Sequence, residues 1–556
     1  MQAESSSLPP PAYLPRLPRV RSLTVLAAVI AVVLAVPVLV VAGSVLAGDT
    51  GGIWAHLAST VLPELLGNTL VLVVFVALGV GIMGVGCAWL VSMLDFPGRR
   101  IFEWALVLPL AMPAYVMAYV YTDLLQFVGP VQSGIRAAFH LKAGQYWFPN
   151  VRSLGGACLM FACVLYPYVY MLARTAFLER AGNVLDAARS LGQGAWGAFW
   201  RVSLPLARPA IVAGVSLALM ETLADFGTVS YFGVQTFTTG IYLAWFSLGD
   251  RIAAAQLSAA LLGVVALVLA AERLTRGRAR FGGGQRGGAK RRVALHGVRA
   301  WLAMLACAVP LTLGFLLPAG LLLRMAFSEG DAQFGSRYFE LVGNSAILAA
   351  VTAVCAVLLA VVLGYAVRKS SARLPALLNR IVALGYAVPG SVIAVGILIP
   401  VARVDLALAS LVELLSGHRP GLLLTGGITA LVYAYLVRYL TVALGSVESG
   451  LARIRPAMDE AAQSLGSSQS EVLRRVHWPL LRGSLLTAAL LVFVDVMKEL
   501  PATLVMRPFD FDTLATQVYT LTADERLAEA STAALTIVAV GLLPVIVLSW
   551  RIAKGR

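Results

Sequence analysis

Five charged residues sit where charge is expensive. Glu221, Asp225, Asp495, Lys498 and Glu499 lie in or beside long apolar runs of a 556-residue chain that is 59% hydrophobic and only 13% charged. On membrane-insertion scales each such charge costs roughly 2.5–3.5 kcal/mol, so intramembrane charges default to function. The acids come in pairs, Glu221 with Asp225 and Asp495 with Glu499. Each pair is spaced i,i+4, which on a continuous helix places both carboxylates on one face. The pairs repeat at a constant offset, 499 − 225 = 274 and 495 − 221 = 274. Two such faces meeting would line an acidic path, and carboxylate oxygen suits a hard cation better than sulfur or imidazole does. The plainer alternative is that Lys498 neutralises its neighbours in a structural ion pair.

Little other chemistry competes. The five cysteines (Cys87, Cys158, Cys163, Cys307, Cys355) lie in apolar runs without a CxxC pair, and the five histidines are scattered without ligand spacing. No lysine follows a glycine, so the chain has no GxxxxGK[ST] phosphate loop and cannot supply its own ATPase by that route. A net charge of +15 would suit nucleic acid in a soluble protein. In a chain this apolar it is explained by basic loops on the inner face of a membrane, with no nucleic-acid partner.

The elements that must carry these residues are apolar runs near the roughly 20 residues that a spanning helix needs. They fall at about 23–47, 67–94, 101–128, 153–178, 207–230 and 252–271, then at about 299–327, 343–368, 378–401, 422–447, 480–505 and 527–552. This predicts an all-α integral membrane protein of about twelve helices. The expected division is a disordered tail (1–22), a six-helix half (23–271), a basic Gly-rich tether (272–298) and a second six-helix half (299–556). The first run is too long for a signal-peptide core, with a cleavable signal ending near VLAGD as the alternative. With the N-terminus inside, 31 of the 43 arginines and lysines fall on the cytoplasmic side and 10 outside, so both termini are expected in the cytoplasm.

The halves are copies. Asn68-Thr69 matches Asn344-Ser345, Met112-Pro113-Ala114 matches Val388-Pro389-Gly390, and TFTTGIY at 236–242 matches TLATQVY at 513–519. Six spans per copy make the repeats parallel, related by an axis along the membrane normal with a pathway between them. A polar segment is duplicated too, DAARSLG at 186–192 and EAAQSLG at 460–466. Extended, it reads Asp186, Ala187, Ala188, Gly192, Val202 and Pro205 in one half, and Glu460, Ala461, Ala462, Gly466, Val476 and Pro479 in the other. That predicts a short helix, a glycine turn and a second helix that the proline stops before the next span. Pro456 suits a helix start, and Ser468 with Glu471 makes a capping box.

This pattern resembles the EAA signature of the permease subunits of ABC importers. The first copy opens with Asp in place of Glu, and the second ends His-Trp-Pro where the family has x-Leu-Pro. The resemblance implies that each segment is a coupling helix seated on an ATPase subunit, so two copies imply an ATPase dimer that carries the ATP and Mg. ETLADFGTVSYFG (221–233) and DVMKELPATLVMRPFDFDTLATQVY (495–519) are similar to the bacterial ferric-iron branch. That branch implies fused permeases of the inner membrane that take substrate from a periplasmic binding protein. Related branches carry thiamine, sulfate, polyamines and phosphonates. A twelve-span secondary transporter would share the parallel repeats and buried acids, but not the duplicated docking segment.

Overall fold

The computed structural model describes residues 19–48, 57–190, 195–276, 292–328, 334–370, 373–418 and 420–554. Eleven of the helices described are long and apolar enough to cross a bilayer, and a twelfth crossing is the pair Arg99–Ala111 and Ala114–Phe139, bent by 92°. The expected all-α, six-plus-six architecture is therefore present, but several predicted spans are cut. The third run of each half breaks at its repeated X-Pro step, where Met112 and Val388 are both extended (ψ 116° and 123°). Proline disfavours the helical region for the residue before it, and at these two steps that residue is extended, so one apolar run becomes two helices. In the second half the spanning piece is Gly390–Ser416 rather than 378–401. The fifth runs also end early, at Ala224 and Met497, and short helices follow at Gly227–Tyr231 and Pro501–Met506.

The duplication extends to single hydrogen bonds. Asn68 Nδ2 donates to the Gln235 carbonyl at 2.9 Å, and its counterpart Asn344 to the Asp512 carbonyl at 3.1 Å. Thr236 with Thr239 and Thr513 with Thr516 form matching capping boxes on the helices that begin at Phe237 and Leu514.

Pro205 and Pro479 do not stop a helix as expected. Each follows a π-helical turn, Phe199–Ser203 and Leu473–His477, and the helix runs on into the fifth span. Two more π turns, Leu57–Val61 and Thr312–Leu316, likewise end two residues before a proline, Pro63 and Pro318. The proline ring collides with the carbonyl four residues back, and a wider turn removes that collision without ending the helix.

The halves exchange their first spans. The helix Arg19–Gly43 lies on the second half: Tyr433 Oη donates to the Val33 carbonyl at 2.5 Å. A side chain at Gly396 would come within 2.4 Å of the Pro37 carbonyl, so the two backbones touch there. Reciprocally, Tyr121 Oη donates to the Leu313 carbonyl at 2.7 Å, and Gly314 packs against the Cys163 carbonyl. The tether is shorter than its sequence implied. The helix before it runs to Arg276, and Val293–Ala294 pairs in parallel with Leu94–Asp95 of the first half.

Candidate functional site

The early end of the fifth spans changes the geometry of the acids. Asp225 is already extended (φ −70°, ψ 138°), and the second-half helix ends at Met497, before Glu499. Neither i,i+4 pair therefore sits on one continuous helix face, which corrects the spacing argument. Asp225 and Glu499 instead cap the helices that follow. Asp225 accepts from the backbone N–H of Thr228 (2.8 Å) and Val229 (3.3 Å) and from Thr228 Oγ1 (3.1 Å). Glu499 accepts from the N–H of Ala502 (2.9 Å) and Thr503 (3.1 Å) and from Thr503 Oγ1 (2.6 Å). These two caps are copies at the offset of 274, and Gly227 at the start of one short helix lies against Leu500 at the start of the other.

The remaining charges are paired. Lys498 Nζ lies 2.9 Å from Asp495 Oδ1 on its own helix end. Glu221 is met from the other half: Tyr386 Oη donates to it at 2.8 Å and Arg438 Nη2 at 3.3 Å. Glu221, Asp225, Arg438, Lys498 and Glu499 line one cavity of about 110 Å³ between the halves, with Tyr115, Tyr168 and Tyr439 in its wall. Asp495 is not in that wall. Tyr242 reaches across to donate to the Pro501 carbonyl, closing the same interface. The cavity gathers residues from both repeats, but its wall alternates carboxylates with their partners and is not a bare acidic track. Among the described residues no three His, Cys, Asp or Glu side chains converge as a metal site. Sequence reasoning missed Arg438 and Tyr386; the one available signal was that Arg438, like Lys498, is a cation inside an apolar span.

The second duplicated segment is fully drawn. The helix Pro456–Ser464 starts on Pro456, after an extended Arg455, and closes on Gly466 (φ +85°). Gly466 N–H donates to the Gln463 carbonyl (2.9 Å) and Ser467 N–H to the Ala462 carbonyl (3.0 Å), a Schellman closure that needs a left-handed residue at glycine's position. The capping box follows, Ser468 N–H to Glu471 at 2.9 Å and Glu471 N–H to Ser468 Oγ at 3.3 Å. These hydrogen bonds, the backbone one foremost, hold the Glu471 carboxyl below its usual range. Glu460 and Ala461 are exposed beside Met458 and Leu465, the last 87% exposed. This leaves an apolar, low-profile face free on the segment.

The back of that helix is anchored. Buried Asp459 accepts from Arg368 Nε (3.2 Å) and Nη2 (3.1 Å), lies 2.6 Å from His477 Nε2 and 3.5 Å from Lys369 Nζ. Arg368 also donates to the Leu451 and Ile454 carbonyls at 2.9 and 3.1 Å. His477, at the variable position of the signature's end, is thus the partner of the acid next to Glu460. In the first half Asp186, Ala187 and Ala188 fall in the helix Leu154–Ser190, which runs from the fourth span into the segment without a break. Their side chains, and Gly192 altogether, lie outside the described residues. Gly182 stands where the second half has Pro456, so nothing forces a break there.

A duplicated bundle with a polar cavity between its halves and a copied polar segment before each fifth span has the architecture of a membrane permease. The family model of the binding-protein-dependent transport system inner membrane component matches residues 80–276 and 356–553, and the chain belongs to that family. It is thus an ABC-type permease component of the inner membrane, not itself an enzyme. It is 28% identical over 499 residues to the Fe(3+)-transport system permease protein FbpB 2 of Haemophilus influenzae, covering 88% of this chain and 90% of that one. A probable sulfate transport system permease protein of Chlorokybus atmophyticus is 33% identical over 165 residues, 29% of this chain and 54% of that one. The molybdenum transport system permease protein ModB of Escherichia coli is 32% identical over 151 residues, 27% of this chain and 62% of that one.

Proposed function

We propose that this chain is the two-repeat permease of an ATP-driven importer that receives ferric iron from a periplasmic binding protein. Two ATPase subunits dock on the segments around Glu460 and Asp186, hydrolyse ATP with Mg there, and drive the halves apart and together around the central cavity. Both termini face the cytoplasm in this reading, on the side of those docking segments. The observation that carries the reading is the duplicated segment itself, whose second copy presents Glu460, Ala461 and Leu465 outward while Asp459 is tied back to Arg368 and His477. Ferric iron is favoured because the iron-permease likeness spans both halves, whereas the sulfate and molybdenum likenesses span about a quarter of the chain. Glu221, Asp225 and Glu499, with the tyrosines beside them, supply hard oxygen donors to the path.

An oxyanion is the second reading, supported by those shorter likenesses and by the two cations, Arg438 and Lys498, in the cavity wall. Uptake into cells deleted for this chain and complemented with it separates the two. Radiolabelled iron(III) is expected to accumulate, with sulfate and molybdate unchanged. Restoration of sulfate or molybdate uptake without iron would overturn the ferric assignment and keep the importer.

A further inference from the structure

The duplication neutralises its two copied acids differently. Asp495 is paired on its own helix end by Lys498, at 2.9 Å. Its copy Glu221 has no such neighbour, because the position equivalent to Lys498 is Ala224 (498 − 274). Glu221 is neutralised instead from across the interface by Arg438 and Tyr386. The positions equivalent to those two in the first half are Val164 (438 − 274) and Leu110 (386 − 276), both in the cavity wall. The cross-half contact is therefore a one-sided addition to a symmetric plan. A purely local neutralisation was available, and the second half uses it.

The contact is also loosely made, by the standard of this same chain. Arg368 uses four of its five donors, giving two hydrogen bonds to Asp459 and two to backbone carbonyls. Among the described residues Arg438 gives a single hydrogen bond, at 3.3 Å, its guanidinium lies 5.5 Å from the Tyr439 ring, and its buried Nε, like that of Arg174, has no hydrogen-bond partner. A guanidinium has five donors, and one that uses so few of them is held less firmly than Arg368 is. A buried ion pair adds little net stability over a well-packed apolar pair, but it separates two arrangements sharply, because both charges must find new partners when it opens.

We propose that Arg438 is the gate residue of the path: with Tyr386 it clasps Glu221 of the opposite half and closes the cavity at that level. The clasp must open for substrate to pass, and opening frees a carboxylate and a guanidinium to face the passing group. This rests on the reading that the central cavity lies on the path. Tyr386 is the positioning residue, holding Glu221 Oε1 while Arg438 engages Oε2.

The test uses the full chain in lipid nanodiscs, with its five native cysteines replaced by alanine and Ala224→Cys introduced; Ala224 is in the cavity wall and 3% exposed. The readout is the rate at which a charged, membrane-impermeant maleimide modifies that thiol. Arg438→Met and Glu221→Gln are each expected to raise the rate at least tenfold, and Tyr386→Phe less. The exchange Glu221→Arg with Arg438→Glu should return it toward the starting rate. If a single variant does not accumulate in the membrane, the pair Glu221→Gln with Arg438→Met, which strands no charge, is read in its place and should label fast. Unchanged labelling in the variants that insert would overturn the gate. Labelling needs neither the ATPase nor iron, so a failed gate leaves the importer reading standing, and a failed iron assignment leaves the gate standing.

Discussion

Asp225 and Glu499 each accept three hydrogen bonds at the start of the helix that follows, which changes what replacing them tests. An amide keeps one acceptor oxygen and loses the charge, and a charge at a helix N-terminus contributes about 0.3–1 kcal/mol. The double variant Asp225→Asn with Glu499→Gln should therefore insert at the normal level, and we expect its iron uptake to fall several-fold. Wild-type uptake would leave both residues as caps alone. Asp459→Asn is a harsher change, because Arg368, Lys369 and His477 all face that one carboxylate. Stranding buried cations costs on the order of 3 kcal/mol. The purified variant should melt at a clearly lower temperature, as followed by fluorescence-detected size exclusion; an unchanged melting point would demote the cluster to an incidental contact. At this scale the near pair, Lys498 with Asp495, was legible in the sequence only as the plainer alternative to a path. The sequence was silent on Glu221 and Arg438, since nothing in a local pattern brings together residues 217 apart.

The helices obeyed their punctuation more strictly than their hydropathy. The predicted third and fifth spans were each read as one continuous apolar run, yet Met112-Pro113, Val388-Pro389 and the polar steps at Asp225 and Lys498-Glu499 divide them. Hydropathy reports where the chain is apolar, not whether its backbone is continuous, so the breaks were legible only as repeated dipeptides. Pro205 and Pro479 erred in the other direction, read as stops where a π turn lets the helix proceed. The docking segment was the best-read element, with Pro456, Gly466 and the Ser468–Glu471 box all in their expected roles. Its clearest test is Gly466, whose φ of +85° strains a β-branched side chain even though the space around it is open. Gly466→Val should abolish stimulation of the ATPase by loaded binding protein in reconstituted vesicles. Gly466→Asn should retain most of it, because asparagine tolerates the left-handed conformation. Equal stimulation in both variants and wild type would remove the coupling role from this turn.

Across the whole molecule, neither half is complete alone, because each buries its neighbour's first span. A chain cut within 277–291 and expressed as two pieces in the same cell should assemble, the pieces co-purifying through a tag on one of them. Residues 1–276 expressed alone should be degraded or aggregate, since Ala27, Ala31, Leu34 and Val41 would lose part of their cover. Stable, monodisperse accumulation of that single piece would contradict the exchange. The same exchange has a consequence for how the protein is made. The helix ending at Gly43 makes its largest contact with the helix beginning at Gly390, so 347 residues must be translated before that main partner starts to appear (390 − 43). At about 5–20 residues per second that interval is on the order of tens of seconds. Through most of it the earliest helix waits in the bilayer without that cover, met at most by the helix Arg251–Arg276 of its own half. The nascent chain thus spends most of its synthesis as an unfinished bundle, exposed to membrane proteases and in need of a holdase, and it becomes durable only when the second half closes over the first.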